Sequence, residues 1–140
     1  MKDYLEQYRN FVESELIPIE PLLLNHQYDE LNLKIEALRI RVKEMGLWAP
    51  FLPKEHDGMD MHFLEFAAVS EILGTSPLGH YTFGCQAPDI GNIELLSMFG
   101  NDQQKDIFLK PLMAGEIRSC IGMAEPDRPG SNPTWLDTNA

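Results

Sequence analysis

Apolar residues recur every three or four positions along most of the first 116 residues, which is the spacing of amphipathic helices. The pattern is clearest from Leu31 to Met45, where charged residues fill the intervening positions and Gly46 follows as a suitable left-handed stop. Its apolar positions are Leu31, Ile35, Leu38, Val42 and Met45, and the positions left for solvent are Lys34, Glu36, Arg39, Arg41, Lys43 and Glu44. The pattern predicts a helix with one buried face.

Five further segments are candidates for helices. Residues 4–16 are amphipathic, and we expect their helix to end before Pro18 because the residue preceding a proline disfavours helical geometry. Residues 18–28 form either a buried connection or a short helix. A helix is predicted from a cap at Asp60 to Gly74, with Phe63, Phe66, Ala67, Ser70 and Leu73 on one face. Another is predicted from Pro88 to Gly100. The last runs from the capping box of Asn101 and Gln104 to Gly115, with Ile107, Phe108 and Leu112 inward. Together these signals predict a mostly α-helical protein with an antiparallel bundle of about five or six helices.

The pattern changes after Gly115. Residues 117–124 alternate as a β-strand does, residues 125–133 form a loop with three prolines, and residues 134–140 resemble the start of another strand. Because one or two strands are not stable alone, we expect the sequence to stop inside a second domain. The predicted domains are a helical domain over residues 1–116 and an incomplete β domain over residues 117–140.

Composition and charge narrow the function classes. The chain has 140 residues, of which 44% are hydrophobic and 24% charged, as in globular proteins. Its net charge of 11 − 22 = −11 disfavours binding to nucleic acid and anchoring to anionic membranes, and no apolar run is long enough to span a bilayer. The beginning of the sequence lacks a signal-peptide pattern, and the two cysteines suit free thiols in a reducing compartment. We therefore expect a cytoplasmic protein.

Three groups of reactive side chains are candidate sites. The first comprises His56, Asp57, Asp60 and His62. Their spacing matches no established ligand pattern, so no metal site is predicted. Cys120 has no histidine near it in sequence, so we interpret it as a core residue rather than a nucleophile. Glu125 and Asp127 are expected to cap amide groups or to face solvent.

Several segments, in their order and spacing, resemble the acyl-CoA dehydrogenase family. The central ones are residues 100–105 (GNDQQK), 109–117 (LKPLMAGEI) and 123–131 (MAEPDRPGS). Residues 46–58 and 71–74 are similar to the opening domain of that family. The segments 76–78, 87–92 and 117–120, together with Trp48, most resemble the subgroup of family members ten and eleven and their bacterial relatives.

The resemblance implies an FAD enzyme of fatty acid metabolism that oxidises the α,β bond of an acyl-CoA thioester. Such enzymes pass electrons to an electron-transfer flavoprotein, have a helical N-terminal domain, a β-barrel middle domain and a helical C-terminal domain, and assemble as tetramers or dimers. This chain would comprise the N-terminal helical bundle and the first strands of a truncated barrel. We expect it to be inactive alone, because the catalytic glutamate of the family belongs to the C-terminal domain.

The resemblance also assigns roles to individual positions. Ile121, Gly122, Met123 and Ala124 match the strand whose backbone runs against the flavin, and Ser131 matches the serine that contacts acyl-CoA. Ile121 replaces the usual aromatic residue and Ala124 the usual threonine. Residues 81–88 and the helix after them would either wall the acyl-chain cavity or belong to the core. The alternative hypothesis is a non-catalytic assembly module whose strand completes the barrel of a partner.

Overall fold

The computed structural model describes residues 2–56, 58–128, 130 and 132–138. Its α-helices are α1 (Lys2–Phe11), α2 (Glu20–Leu24), α3 (Tyr28–Glu44), α4 (Phe63–Leu73), α5 (Gly79–Thr82), α6 (Asp89–Phe99), α7 (Asp102–Gln104) and α8 (Lys110–Met113). Helix α1 packs on α4, α3 on α2 and α5, and α6 on α8. The described part is therefore mostly helical, as predicted. None of its helices combines the length and apolar character needed to cross a membrane.

The first helical run continues past Pro18, so the prediction that it ends there is wrong. Helix α1 passes into a π-helical turn, Val12–Leu16, then into a 3-10 turn, Ile17–Ile19, and then into α2. Pro18 lies in the first positions of the 3-10 turn. An N–H is not required at the start of a helical turn, so proline is tolerated there. Of the two alternatives for residues 18–28, the structure therefore contains the short helix.

Helix α3 confirms the most regular pattern of the sequence. Four of its predicted apolar positions, Leu31, Ile35, Leu38 and Val42, are buried. Gly46 has φ of +69° and ends the helix as predicted. Arg39 departs from the prediction because it is 5% exposed rather than solvated. Since α3 contacts α2 and α5, neighbours cover more of its surface than one apolar stripe.

Helix α4 begins at a different cap from the one predicted. The N-cap is His62, whose main-chain N–H donates to the Glu65 carboxylate at 3.1 Å. Asp60 lies two residues earlier with φ of +54°. Phe63 is 82% exposed, so the predicted inner face is displaced. The buried residues of this helix are Val69, Ile72 and Leu73.

The predicted capping box of α7 is present. The Asn101 N–H donates to the Gln104 side chain at 2.9 Å, and the Gln104 N–H donates to the Asn101 side chain at 2.8 Å. A π-helical turn, Lys105–Leu109, then joins α7 to α8. This wider turn rotates the residues relative to α-helical spacing. As a result Ile107 and Phe108 are about half exposed, contrary to the prediction, and the buried residues are Leu109, Leu112 and Met113.

The core contains a cluster of aromatic side chains from α1 and from the residue that follows α5. The Phe83 ring lies 4.9 Å from that of Tyr8 and 5.2 Å from that of Phe11, between centroids. The buried Tyr8 hydroxyl donates to the Leu47 carbonyl at 2.8 Å. Phe83 belongs to the nearly uncharged segment 76–86, most of which is buried. Much of that segment is therefore core.

After Gly115 the described residues contain no β-strand. They form one isolated antiparallel bridge, between Glu125 and Arg128, and a 3-10 turn, Pro133–Trp135. A strand needs a neighbouring chain segment to complete its hydrogen-bond ladder, and the described part offers residues 117–124 none. The predicted strands are thus not observed, and the boundary between residues 116 and 117 stays a prediction.

The segment after this bridge is held by the Glu125 carboxylate. It accepts hydrogen bonds from the Asp137 N–H at 3.0 Å, from the Thr138 N–H at 2.7 Å and from the Thr138 hydroxyl. These bonds lower the pKa of Glu125. Arg128 also pairs with Asp137 at 2.8 Å. Glu125 therefore caps amide groups, one of the two roles expected for it.

Candidate functional site

The four residues predicted to face the flavin form an exposed segment that leaves the bundle. Ile121 is 62% exposed and Met123 45% exposed. A Cβ added at Gly122 would meet no atom within 4 Å, so open space borders the backbone there. Ser131, the predicted substrate contact, lies outside the described residues.

Main-chain donors in this segment are available to a ligand. Among the described residues, the N–H groups of residues 121–124 have no hydrogen-bond partner. A flavin accumulates negative charge on its ring when reduced, and fixed N–H dipoles stabilise such charge without particular side chains. The donor set and the space beside Gly122 therefore suit the edge of a flavin ring.

The segment is anchored first at the C-terminal end of α8. The final carbonyl groups of a helix lack partners within the helix and carry partial negative charge. Here three side chains donate to them: Trp48 Nε1 to Met113 O at 3.0 Å, Lys43 Nζ to Ala114 O at 2.7 Å and Arg39 Nη2 to Gly115 O at 2.7 Å. Burial, and secondarily the charge of Arg39, lower the pKa of Lys43. All three donors come from α3 and the loop after it. They therefore join α3 and its loop to the point after Gly115 where the chain leaves the bundle, which we call the exit.

Arg39 lies at the centre of this anchor. Its guanidinium carbon is 4.4 Å from the centroid of the Tyr81 ring and 4.8 Å from that of the Trp48 ring. Cation–π contacts at these distances favour a desolvated guanidinium. Arg39 Nη1 also donates to the Tyr81 carbonyl at 3.0 Å. The buried charge is thus compensated by carbonyl groups and aromatic faces.

The second anchor is a polar cluster at the start of α6. The Asp89 carboxylate accepts hydrogen bonds from the Ser119 N–H at 2.9 Å and from the Ser119 hydroxyl at 2.5 Å. Asn92 Nδ2 also donates to the Ser119 hydroxyl at 2.8 Å. Spacing alone did not identify this cluster, although both of its segments were among those that carried the family resemblance. Two anchors therefore hold the chain shortly before Ile121.

An apolar groove of about 280 Å³ adjoins the same exit segment. Helix α6, the π-helical turn and residues 117–120 line it, with apolar contributions from Leu95, Leu96, Phe108, Leu112 and Ile117. Residues 81–88 do not line this groove. Thus α6 borders a groove, whereas much of segment 81–88 is buried in the core.

The remaining reactive groups are an exposed thiol, a buried thiol and a serine–histidine pair. Cys120 is exposed, so its interpretation as a core residue is wrong. Cys85 is buried, and burial raises the pKa of its thiol to about 12. The Ser70 hydroxyl contacts His80 Nε2 at 2.8 Å, and burial lowers the pKa of His80. This pair joins α4 to α5 within the bundle.

The histidine and aspartate cluster does not assemble into a ligand set within the part that the structure describes. Asp57 lies outside that part, and His62 serves as the N-cap of α4. Among the described residues, no three His, Cys, Asp or Glu side chains converge on a point where a metal could bind.

Fold and anchors together define a mostly helical domain that presents an exposed main-chain segment. The family model for the acyl-CoA dehydrogenase N-terminal domain matches residues 2–116. The chain therefore belongs to the acyl-CoA dehydrogenase family, and the resemblance found in the sequence is confirmed.

Individual relatives agree with this assignment. Acyl-CoA dehydrogenase family member 10 of Mus musculus is 36% identical over an alignment of 143 positions, and the alignment covers 96% of this chain and 13% of that protein. Family member 11 of Homo sapiens is 31% identical over an alignment of 144 positions, which covers 97% of this chain and 18% of the relative. A probable acyl-CoA dehydrogenase of Mycobacterium tuberculosis is 39% identical over 105 residues, which cover 74% of this chain and 25% of that protein.

A solved structure has the same fold. It comes from Mycobacterium abscessus, is described as an acyl-CoA dehydrogenase, and matches with a TM-score of 0.82 at 32% identity. The match covers 95% of this chain and 36% of the solved one. The chain thus spans between about an eighth and about a third of the length of these relatives.

Proposed function

We propose that this chain contributes the N-terminal domain of an FAD-dependent acyl-CoA dehydrogenase that oxidises the α,β bond of acyl-CoA thioesters. Bound FAD would supply the oxidising chemistry. The observation that carries the proposal is the exposed segment at Ile121–Ala124, whose main-chain N–H groups have no hydrogen-bond partner among the described residues. Two anchors hold the chain just before this segment, in a member of this family.

Residues of this chain would bind and orient rather than transfer protons. The N–H groups of residues 121–124 would face the flavin ring, and Ala124 would do so without the hydroxyl of the threonine usual in the family. One hydrogen bond contributes about 1 kcal/mol, so the remaining amides would carry most of the contact. Ser131 would contact acyl-CoA. The proton-abstracting glutamate would lie in a C-terminal domain, so residues 1–140 alone would not oxidise acyl-CoA.

The wider setting of the proposal follows from the same assignment. Electrons would pass to an electron-transfer flavoprotein, and the complete enzyme would assemble as a tetramer or dimer. Cytoplasmic location remains an expectation from the cysteine usage. Neither nucleic acid nor a membrane is part of the proposed function.

A pair of substitutions at Gly122 tests the flavin contact. Gly122→Pro removes a main-chain N–H, whereas Gly122→Ala keeps it and adds a Cβ that meets no atom within 4 Å. Both would be made in the flavin-bearing polypeptide that contains this chain, purified from its source cells. We expect Gly122→Pro to weaken FAD retention on dialysis more than Gly122→Ala does, because alanine keeps the N–H even though its Cβ occupies part of the space proposed for the ring. Equal retention in the two variants would contradict the proposed contact.

The same purified polypeptide distinguishes the proposed enzyme from the alternative, a non-catalytic assembly module. If the polypeptide is the enzyme, its visible flavin absorbance should bleach when an acyl-CoA is added. A panel of short, medium and long acyl-CoA thioesters would then identify the preferred chain length. Recombinant residues 1–140 should be helical by circular dichroism and retain no flavin. A colourless natural polypeptide, bound to a separate protein that supplies the barrel, would favour the module instead.

A further inference from the structure

Arg39 is a buried cation whose two terminal nitrogens point to separate parts of the chain. Its side chain is 6% exposed, and the carboxylate nearest to it, Glu36, lies 3.6 Å away and is 59% exposed. Its hydrogen bonds instead go to the carbonyls of Tyr81 at 3.0 Å and Gly115 at 2.7 Å. A buried guanidinium costs free energy unless its donors are satisfied, so both carbonyl contacts stabilise this placement.

The two carbonyls belong to different units of the fold. Tyr81 lies in α5, whereas Gly115 lies at the turn where the chain leaves α8 for residues 117–124. Arg118, three residues after Gly115, stacks on the same Tyr81 ring at 4.6 Å from the centroid. Arg39 therefore connects the interior of the bundle to the start of the exposed segment.

We propose that Arg39 is a positioning residue that sets the course of residues 117–124 and thereby the placement of their main-chain N–H groups against the flavin. The inference has two halves. The positioning half, that Arg39 sets the course of residues 117–124, rests on the contacts of Arg39. The flavin half, that this course affects the flavin, rests on the proposed function. A planar guanidinium donates in two directions at once, whereas a lysine ammonium is a compact charge on a flexible stem. An arginine can therefore hold Tyr81 and Gly115 at a constant separation.

Three variants test the positioning half by amide hydrogen exchange of the chain. Arg39→Met keeps apolar bulk but removes both hydrogen bonds, and Arg39→Lys keeps the charge. Arg41→Met is the matched control, because Arg41 lies on the same helix and pairs with Glu15 at 3.0 Å, away from the exit. Circular dichroism confirms that each variant is folded.

The informative amides are those that the structure protects at the exit: Glu116 and Ile117, bonded to the Pro111 carbonyl, and Ser119, bonded to Asp89. Arg39→Met should raise their exchange rates at least about tenfold, as expected for the loss of a charged hydrogen bond. Exchange within α3 and α4 should stay unchanged. Arg39→Lys should fall between wild type and Arg39→Met, and Arg41→Met should match wild type. A uniform rise across the bundle, or no rise at the exit, would overturn the positioning role.

The flavin half is read from the reduction potential of the flavin-bearing polypeptide. Misplaced N–H groups stabilise the reduced flavin less, so Arg39→Met should shift the potential to more negative values. Faster exchange at the exit with an unchanged potential would overturn the link to the flavin while leaving the anchor in place. If Gly122→Pro weakens FAD retention but Arg39→Met changes neither readout, the proposed function stands and this inference fails.

Discussion

The effect on stability of packing Trp48 and Arg39 against Gly115 can be measured by replacing two glycines that have the same backbone conformation. Gly46 and Gly115 have φ of +69° and +70°. A Cβ added at Gly46 would meet nothing within 4 Å. One added at Gly115 would lie 2.5 Å from Cζ2 and 2.7 Å from Cη2 of the Trp48 ring and would overlap the Arg39 guanidinium. Alanine would therefore introduce the same backbone strain at both positions, but only at Gly115 would its Cβ collide with Trp48 and Arg39.

The expected losses of stability follow from these two effects. A left-handed conformation costs an alanine about 1–2 kcal/mol, offset in part because alanine restricts the unfolded chain. We therefore expect Gly46→Ala to lower the free energy of unfolding by about 1 kcal/mol. Gly115→Ala adds an overpacking cost of about 1–3 kcal/mol, because the indole is held by its bond to Met113 and cannot retreat freely. Its total loss should reach about 2–4 kcal/mol.

Urea unfolding followed by helical circular dichroism measures both variants. The slope of free energy against urea should stay the same, so that the midpoint alone reports the change. Similar losses in the two variants would refute the reasoning, because the contact with the indole and guanidinium would then contribute nothing. A larger loss at Gly46 would refute it more strongly.

Two further predictions concern titratable groups in the bundle. A thiol reagent at neutral pH should modify Cys120 and leave Cys85 unmodified in the folded chain, because Cys120 is exposed and burial raises the pKa of Cys85 to about 12; equal labelling rates would contradict the burial of Cys85. Because burial lowers the folded-state pKa of His80, its contribution to stability should be complete above pH of about 6.5 and be lost as the pH falls towards the folded-state pKa. Urea midpoints of wild type and His80→Gln across this range measure that contribution, and parallel pH profiles would show that His80 does not cause it.

Local signals along the chain predicted the helices well where neighbouring residues decide the structure. The periodic pattern placed α3, and the capping box of Asn101 and Gln104 placed the start of α7. The left-handed glycines Gly46 and Gly115 ended their segments as expected. Each of these signals depends on hydrogen bonds or φ values within a few residues, so the sequence states it directly.

Departures from these predictions arose where a turn or a neighbouring element changed which face was buried. The π-helical turn at Lys105–Leu109 left Ile107 and Phe108 half exposed, since its wider geometry breaks the spacing that predicted them inward. The chain likewise continued through Pro18 as a 3-10 turn. These adjustments depend on packing against other elements, which spacing along one segment does not contain.

The sequence by itself determined the family, the helical character of the domain and the segment at Ile121–Ala124 as the candidate flavin contact. Only the tertiary structure decided how that segment is held. Arg39 and Gly115 are 76 residues apart, and Asp89 and Ser119 are 30 apart. Pairs so distant along the chain meet only after the helices pack. For this reason Arg39, which the helical pattern assigned to solvent, is a buried hydrogen-bond donor at the exit of the bundle.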